Sequence, residues 1–317
     1  MNNSSKTPAP DPAGSYRPFH LTLRRVFVAE QGIRAGWSVL TFAVIFWILQ
    51  TAVFAVLGRF VELDLSGPIP LRLGFLQESC QVLVVAAATL VMARIEKRSL
   101  LSYGYIGHHR LIRLVSGVLL GFSCLSVLVG VLWKAGLLAF NGTLLSGFTA
   151  WKYALAWGLV FLLVGFFEES LLRGYLQYTL TRGIGFWWAA LLLSVAFALG
   201  HVGNGGESAL GIVEVCTAGL IFCLSLWYTK SLWWAVGFHA GWDWGQSYFY
   251  GTPDSGLITK GHLLASHALG NPLWSGGTTG PEGSLLIVPL VILAGIGMWL
   301  WWGVKRKTVG WGNNHPA

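Results

Sequence analysis

The strongest constraint on this chain is its succession of apolar runs about 17 to 25 residues long, the length a helix needs to cross a bilayer. Such runs fall near 37–57, 73–93, 112–133, 151–178, 186–201, 209–228, 232–249 and 285–303. They predict about eight spans and an all-α, polytopic membrane helix bundle. Only 11% of the 317 residues are charged and 54% are hydrophobic, far from the roughly 25% charged content of a soluble domain. The net charge of +8 comes from Lys and Arg in short segments beside the apolar runs. That pattern reports topology and an anionic lipid surface, so no nucleic acid partner is expected.

Three regions follow. Residues 1–36 are a polar, then basic tail without the apolar core of a cleavable leader; 37–303 form the transmembrane domain; 304–317 are a basic C-terminal tail. Arg24, Arg25, Arg34, Arg94, Lys97, Arg98, Arg110, Arg113, Arg173, Arg182, Lys230 and the Lys305–Lys307 cluster share one side if both termini are cytoplasmic. The 250–284 segment, rich in Gly, Ser and Thr, is expected to be an ordered cap or a mobile lid and not a domain. Cys80, Cys124, Cys216 and Cys223 all lie in apolar runs and read as small core residues.

Ionisable side chains at bilayer depth are costly and usually functional, and three of the later runs carry them. "EESLLR" places Glu168, Glu169 and Arg173 in one run, "FALGH" places Phe197 and His201 in the next, and "HAGWD" places His239 and Asp243 two runs on. At 1.5 Å of rise per residue, Glu168, His201, His239 and Asp243 fall at depths of about 18, 22, 12 and 18 Å. They are expected to face one cavity. Residues four apart share a helix face, so Glu169 pairs with Arg173 and leaves Glu168 free for chemistry, while His239 and Asp243 project together. A carboxylate in a low-dielectric site can take a proton from water near neutral pH. The same residue types are also acceptable ligands for a divalent metal such as zinc, and the sequence leaves both mechanisms open. Phe197 reads as packing, Asn204 as a turn residue, and Trp242 and Trp244 as interfacial residues or as part of the substrate path.

These motifs resemble EExxxR, FxxxH and HxxxN/D of the CPBP family, the CAAX proteases and bacteriocin-processing or self-immunity proteins. The resemblance covers roughly 150–250 and implies an intramembrane endopeptidase acting on a membrane-associated peptide or protein. It implies Glu168 as general base, His201 as its partner in activating water, and His239 with Asp243 at the oxyanion or on a metal. Glu169, Arg173 and Phe197 would support them. Asp243 stands where CAAX-processing members usually carry Asn, and an ionised carboxylate cannot donate to an oxyanion. The family's distribution implies a bacterial cytoplasmic membrane, with substrate expected from the basic side. Two other classes compete: an ion- or proton-coupled transporter, and a non-catalytic immunity or scaffold protein.

Overall fold

The computed structural model describes residues 27–29, 32–61 and 67–304; Arg24, Arg25, the Lys305–Lys307 cluster and most of both tails lie outside them. The chain is built of helices α1 (Ala35–Leu57), α2 (Leu71–Ile95), α3 (Arg110–Lys134), α4 (Gly147–Glu169), α5 (Gln177–Ile184), α6 (Phe186–His201), α7 (Ala209–Thr229), α8 (Trp233–Asp243) and α9 (Ile287–Met298). Five helical stretches are long and apolar enough to cross a membrane: α1, α2, α3, the 147–184 stretch, kinked at Gly174, and α7. Phe186–His201 and Ile287–Gly303 are apolar but shorter. All eight predicted runs are helical, and five reach spanning length and composition. Large apolar side chains such as Trp47, Leu83, Phe148 and Leu155 face outward, as expected for an integral membrane protein whose surround is lipid.

The all-α expectation needs one correction. Leu138–Thr143 (β3) pairs antiparallel with Leu264–Ala268 (β4), with an irregularity between Phe140 and Gly142, and Val28–Ala29 (β1) pairs with Gly32–Ile33 (β2). The β3–β4 ladder gives hydrogen-bond partners to backbone in the long segment after α8. That segment is an ordered cap, joined to the bundle by the Asn204 Nδ2 bond to the Ser255 carbonyl (2.8 Å) and the Ile69–Thr259 bridge.

The opposite end is tied by charge. Arg182 reaches Glu96 at 3.3 Å, joining α5 to the end of α2, and Arg113 Nη1 donates to the Thr229 carbonyl at the end of α7. Arg113 and Arg182 therefore stand at the end remote from the cap, whereas Arg173 is fully buried inside the bundle.

Helix α8 is gripped from two sides by glycine. A Cβ at Gly117 or Gly121 of α3 would run into the Trp234 or Phe238 carbonyl, and one at Gly237 or Gly241 of α8 into the Leu114 or Val118 carbonyl. A Cβ at Gly165 of α4 would lie 2.9 Å from the Val236 carbonyl. Small residues spaced four apart on both helices let the backbones approach closely, the main route to tight association where lipid removes the hydrophobic drive. Gly130 of α3 faces open space. Gly121→Ala should therefore cost about 1–3 kcal/mol through overpacking, whereas Gly130→Ala should be neutral or stabilising by up to about 1 kcal/mol. Thermal unfolding of the two purified variants in one detergent checks the contrast.

Candidate active site

The local backbone changes character beside the buried carboxylates. After Glu169, residues Ser170–Leu176 form a π-helical turn with Gly174 outside helical geometry (φ −79°, ψ −116°), and after Asp243 the same widening runs over Trp244–Tyr250. Wider turns of this kind recur at functional sites because they re-aim side chains within an otherwise regular helix. Here they follow the acidic residue on both helices.

His239 is the hub. Its Nδ1 lies 3.3 Å from Glu169 Oε1, and its Nε2 lies 3.5 Å from Glu168 Oε2 and 3.4 Å from Asp243 Oδ2. Three carboxylates thus meet one imidazole. Glu169 also accepts a hydrogen bond from Arg173 Nη1 at 3.1 Å, and both partners are fully buried. The guanidinium stacks on Phe197 and Phe222, at 4.6 and 5.4 Å from the ring centroids. Phe222 also stacks on His239, and Phe197 stands edge-on to both His201 and His239.

The predicted Glu169–Arg173 pair is present, but Glu169 does more than neutralise the arginine, since it also fixes His239. Glu168 meets His239 and not a second imidazole. The ring of His201 is tied through Nδ1 to its own helix, at 2.9 Å from the Phe197 carbonyl. Because that carbonyl can only accept, Nδ1 carries the proton and Nε2 is the other functional nitrogen. The Phe197 ring packs between the two histidines and against Arg173. Asp243, which cannot donate to an oxyanion when ionised, is placed to orient His239.

Glu168, His201, His239 and Asp243 line one cavity of about 450 Å³, confirming their convergence. Trp242 is also in its wall, whereas Trp244 donates to the Ala154 carbonyl at 2.9 Å. Asn204 faces the cavity while holding the cap. Four acidic residues absent from the motif reading join them: Glu78 from α2, Glu214 from α7, and Asp254 and Glu282 from the cap. Glu78 and Glu214 were detectable, being ionisable residues inside apolar runs; Asp254 and Glu282 sit in a polar segment that carries no such signal.

A zinc site requires several ligands at about 2.0–2.2 Å around one point. Among the described residues, no group of three or more His, Cys, Asp or Glu is so arranged. His239 Nε2 is instead shared between two carboxylates.

A membrane helix bundle with a buried Glu–His–Asp cluster beside a partly open cavity is the class that this architecture defines. Residues 150–245 match the family described as type II CAAX prenyl endopeptidase Rce1-like, a segment running from the first turn of α4 to the start of the Trp244–Tyr250 turn. The match bears out the resemblance to CPBP intramembrane proteases over that segment. No curated protein matches the chain.

Two measurements probe the site's electrostatics. Removing one partner of a buried ion pair leaves an uncompensated charge, so Arg173→Met should destabilise by about 3–5 kcal/mol. The Arg173→Met, Glu169→Gln double variant should recover part of that loss in a thermal-unfolding cycle. In the cap, burial pushes the Asp254 carboxyl from its ordinary 3.8 up to about 6, against the opposing hydrogen bond from Ser247 and attraction of His239 and His201. A carboxyl whose pKa is higher when folded imposes no penalty below its unfolded value and its full penalty above its folded one. Wild-type Tm should therefore carry a decline between pH about 4 and about 6 that Asp254→Asn removes.

Proposed function

We propose that this chain is an intramembrane endopeptidase that hydrolyses a peptide bond of a membrane-associated substrate with water activated by Glu168. The observation that carries the reading is the convergence of Glu168 and Asp243 on His239 Nε2, with Glu169 on Nδ1, at the wall of one partly open cavity. A water between Glu168 and the substrate carbonyl loses its proton to the carboxylate, and the resulting hydroxide attacks the carbonyl carbon. The oxyanion is met by the charged His239 ring, which Glu169 and Asp243 stabilise and orient, a form of preorganised electrostatic catalysis. As the C–N bond breaks, Glu168 returns its proton to the leaving amine, so proton and electron pair balance. His201, fixed by the Phe197 carbonyl, presents its Nε2 to the substrate or the attacking water.

The cavity wall draws on Ile69, Asn204, Ser255, Leu257 and Thr259 near the cap, not on the basic connections at the other end. This favours entry of substrate on the cap side or laterally beside α9, which lends Leu290, Val291 and Ala294 to the wall, over entry from the basic side. With the basic end in the cytoplasm of a bacterial cell, the scissile bond would be approached from the outer half of the cytoplasmic membrane. The concentration of cavity carboxylates also suits a cation transporter, and the same variant separates the two readings. Glu168→Gln should remain folded and lose at least 10³-fold of cleavage of a membrane-tethered peptide library, with wild-type cleavage unaffected by a chelator. Retained cleavage, or Glu168-dependent cation flux in liposomes without cleavage, would overturn the assignment.

A further inference from the structure

We propose that the cap end of the cavity, formed by Glu214, Asp254 and Glu282, is a subsite for the cationic side chain of a Lys or Arg in the peptide substrate. This rests on the peptidase reading for its occupant and deepens it by naming the substrate class.

The wall of the cavity holds the carboxyl groups of Glu78, Glu168, Glu214, Asp243, Asp254 and Glu282, but no lysine or arginine. The histidine cluster uses Glu168 and Asp243. At the cap, Glu282 is only 2% exposed. Its Oε1 accepts from the Ser255 amide, while Oε2 is buried and makes no hydrogen bond of good geometry, the Gln246 side chain being the one neutral group that offers the carboxyl any relief. An unsatisfied buried carboxylate oxygen is expensive, and a native structure that keeps one has a use for it. Asp254 is held in place by Ser247 Oγ at 2.9 Å on Oδ2, and the Asn204 bond to the Ser255 carbonyl clamps the loop between the two acids. The acids are therefore positioned by built contacts and are not a loose acidic surface.

Electrostatics agrees. The Glu282 carboxyl is held well above the usual carboxylate range, first by burial and then by the neighbouring charges of Asp254 and Glu214. A cation seated among them relieves both causes together. Asp254 lies within electrostatic reach of His201, His239 and Glu168, so a basic side chain held here belongs to a residue close to the bond being cut. A guanidinium fits best because its planar fork can engage two carboxylates through charge-assisted bonds.

A peptide side chain suits the pocket better than an inorganic ion. Trp157, Phe161, Phe238 and Trp242 give the same cavity broad apolar walls. Those accommodate the methylene stem of Arg or Lys and the adjoining peptide, whereas a hard cation needs an oxygen cage. No group of metal-ligating side chains among the described residues supplies one.

The test titrates the purified full-length protein in nanodiscs with membrane-tethered peptides carrying arginine or its neutral isostere citrulline at successive positions, and follows binding and cleavage together. The arginine peptide should bind at least tenfold more tightly at one position, with that preference lost in Glu282→Gln and in Asp254→Asn. Equal binding of the two peptides by wild type overturns the proposal without requiring any variant to fold. A preference that survives both variants also overturns it. Calcium or sodium alone binding saturably and displacing the peptide would assign the acids to an inorganic cation and overturn it as well. Arginine-selective binding without cleavage by wild type would support the subsite and sink the peptidase reading.

Discussion

The buried pair of Arg173 with Glu169 is the interaction on which the rest of the site depends. A guanidinium at zero exposure within a membrane bundle is tolerable only if its charge is met at short range and its faces are covered by polarisable groups. Glu169 supplies the charge, and Phe197 and Phe222 supply the faces. Those three groups come from α4, α6 and α7, so one side chain fixes three helices against each other. The same Glu169 oxygen that neutralises the arginine reaches His239 on α8. Electrostatic necessity at Arg173 is in this way converted into the orientation of an imidazole on a fourth helix.

That conversion works only if α8 is close enough. The glycine seam brings the α8 backbone to within a side-chain-free distance of α3, and Gly165 does the same on α4. Small residues give close approach and buried charge gives register. Neither suffices alone: a tight seam without the arginine network leaves His239 free to turn, while the network without the seam holds the carboxylates out of reach. The π turns after Glu169 and Asp243 fit this picture, because both widen the helix where a regular turn would fix the neighbouring side chains differently.

Much of the site was legible in the sequence, for a specific reason. Glu169 with Arg173 and His239 with Asp243 are four-residue pairs, so helical geometry alone predicts their contacts, and both pairs are present. The convergence of three helices was legible because ionisable residues in apolar runs are rare enough to mark a site. The pairing between helices was not: nothing in the spacing assigns Glu168 to His239 instead of His201, since that depends on the rotation of each helix about its axis. The β3–β4 ladder was also hidden, because "LAFNGT" and "LASHA" are more than a hundred residues apart and neither alternates cleanly. Asp254 and Glu282 belong to the same gap. They stand in a Gly-, Ser- and Thr-rich segment where an acid reads as solvated, and only the folded cap buries them.

The cap also changes what the cavity can be. A carboxylate cluster open to water is screened, and one sealed in lipid would be neutral; a polar lid tied to the bundle by the Asn204–Ser255 and β3–β4 contacts gives neither extreme. The proposed hydrolysis needs water in a structure whose outer surface is apolar, and the cap side is where polar backbone meets the cavity. The constraint that forbids irregular backbone against lipid allows it where it lines a cavity. In this chain the irregular segment brings the acids, the hydrogen-bonded loop and the route for water to one end, while the bundle brings Glu168 and His239 to meet them from below.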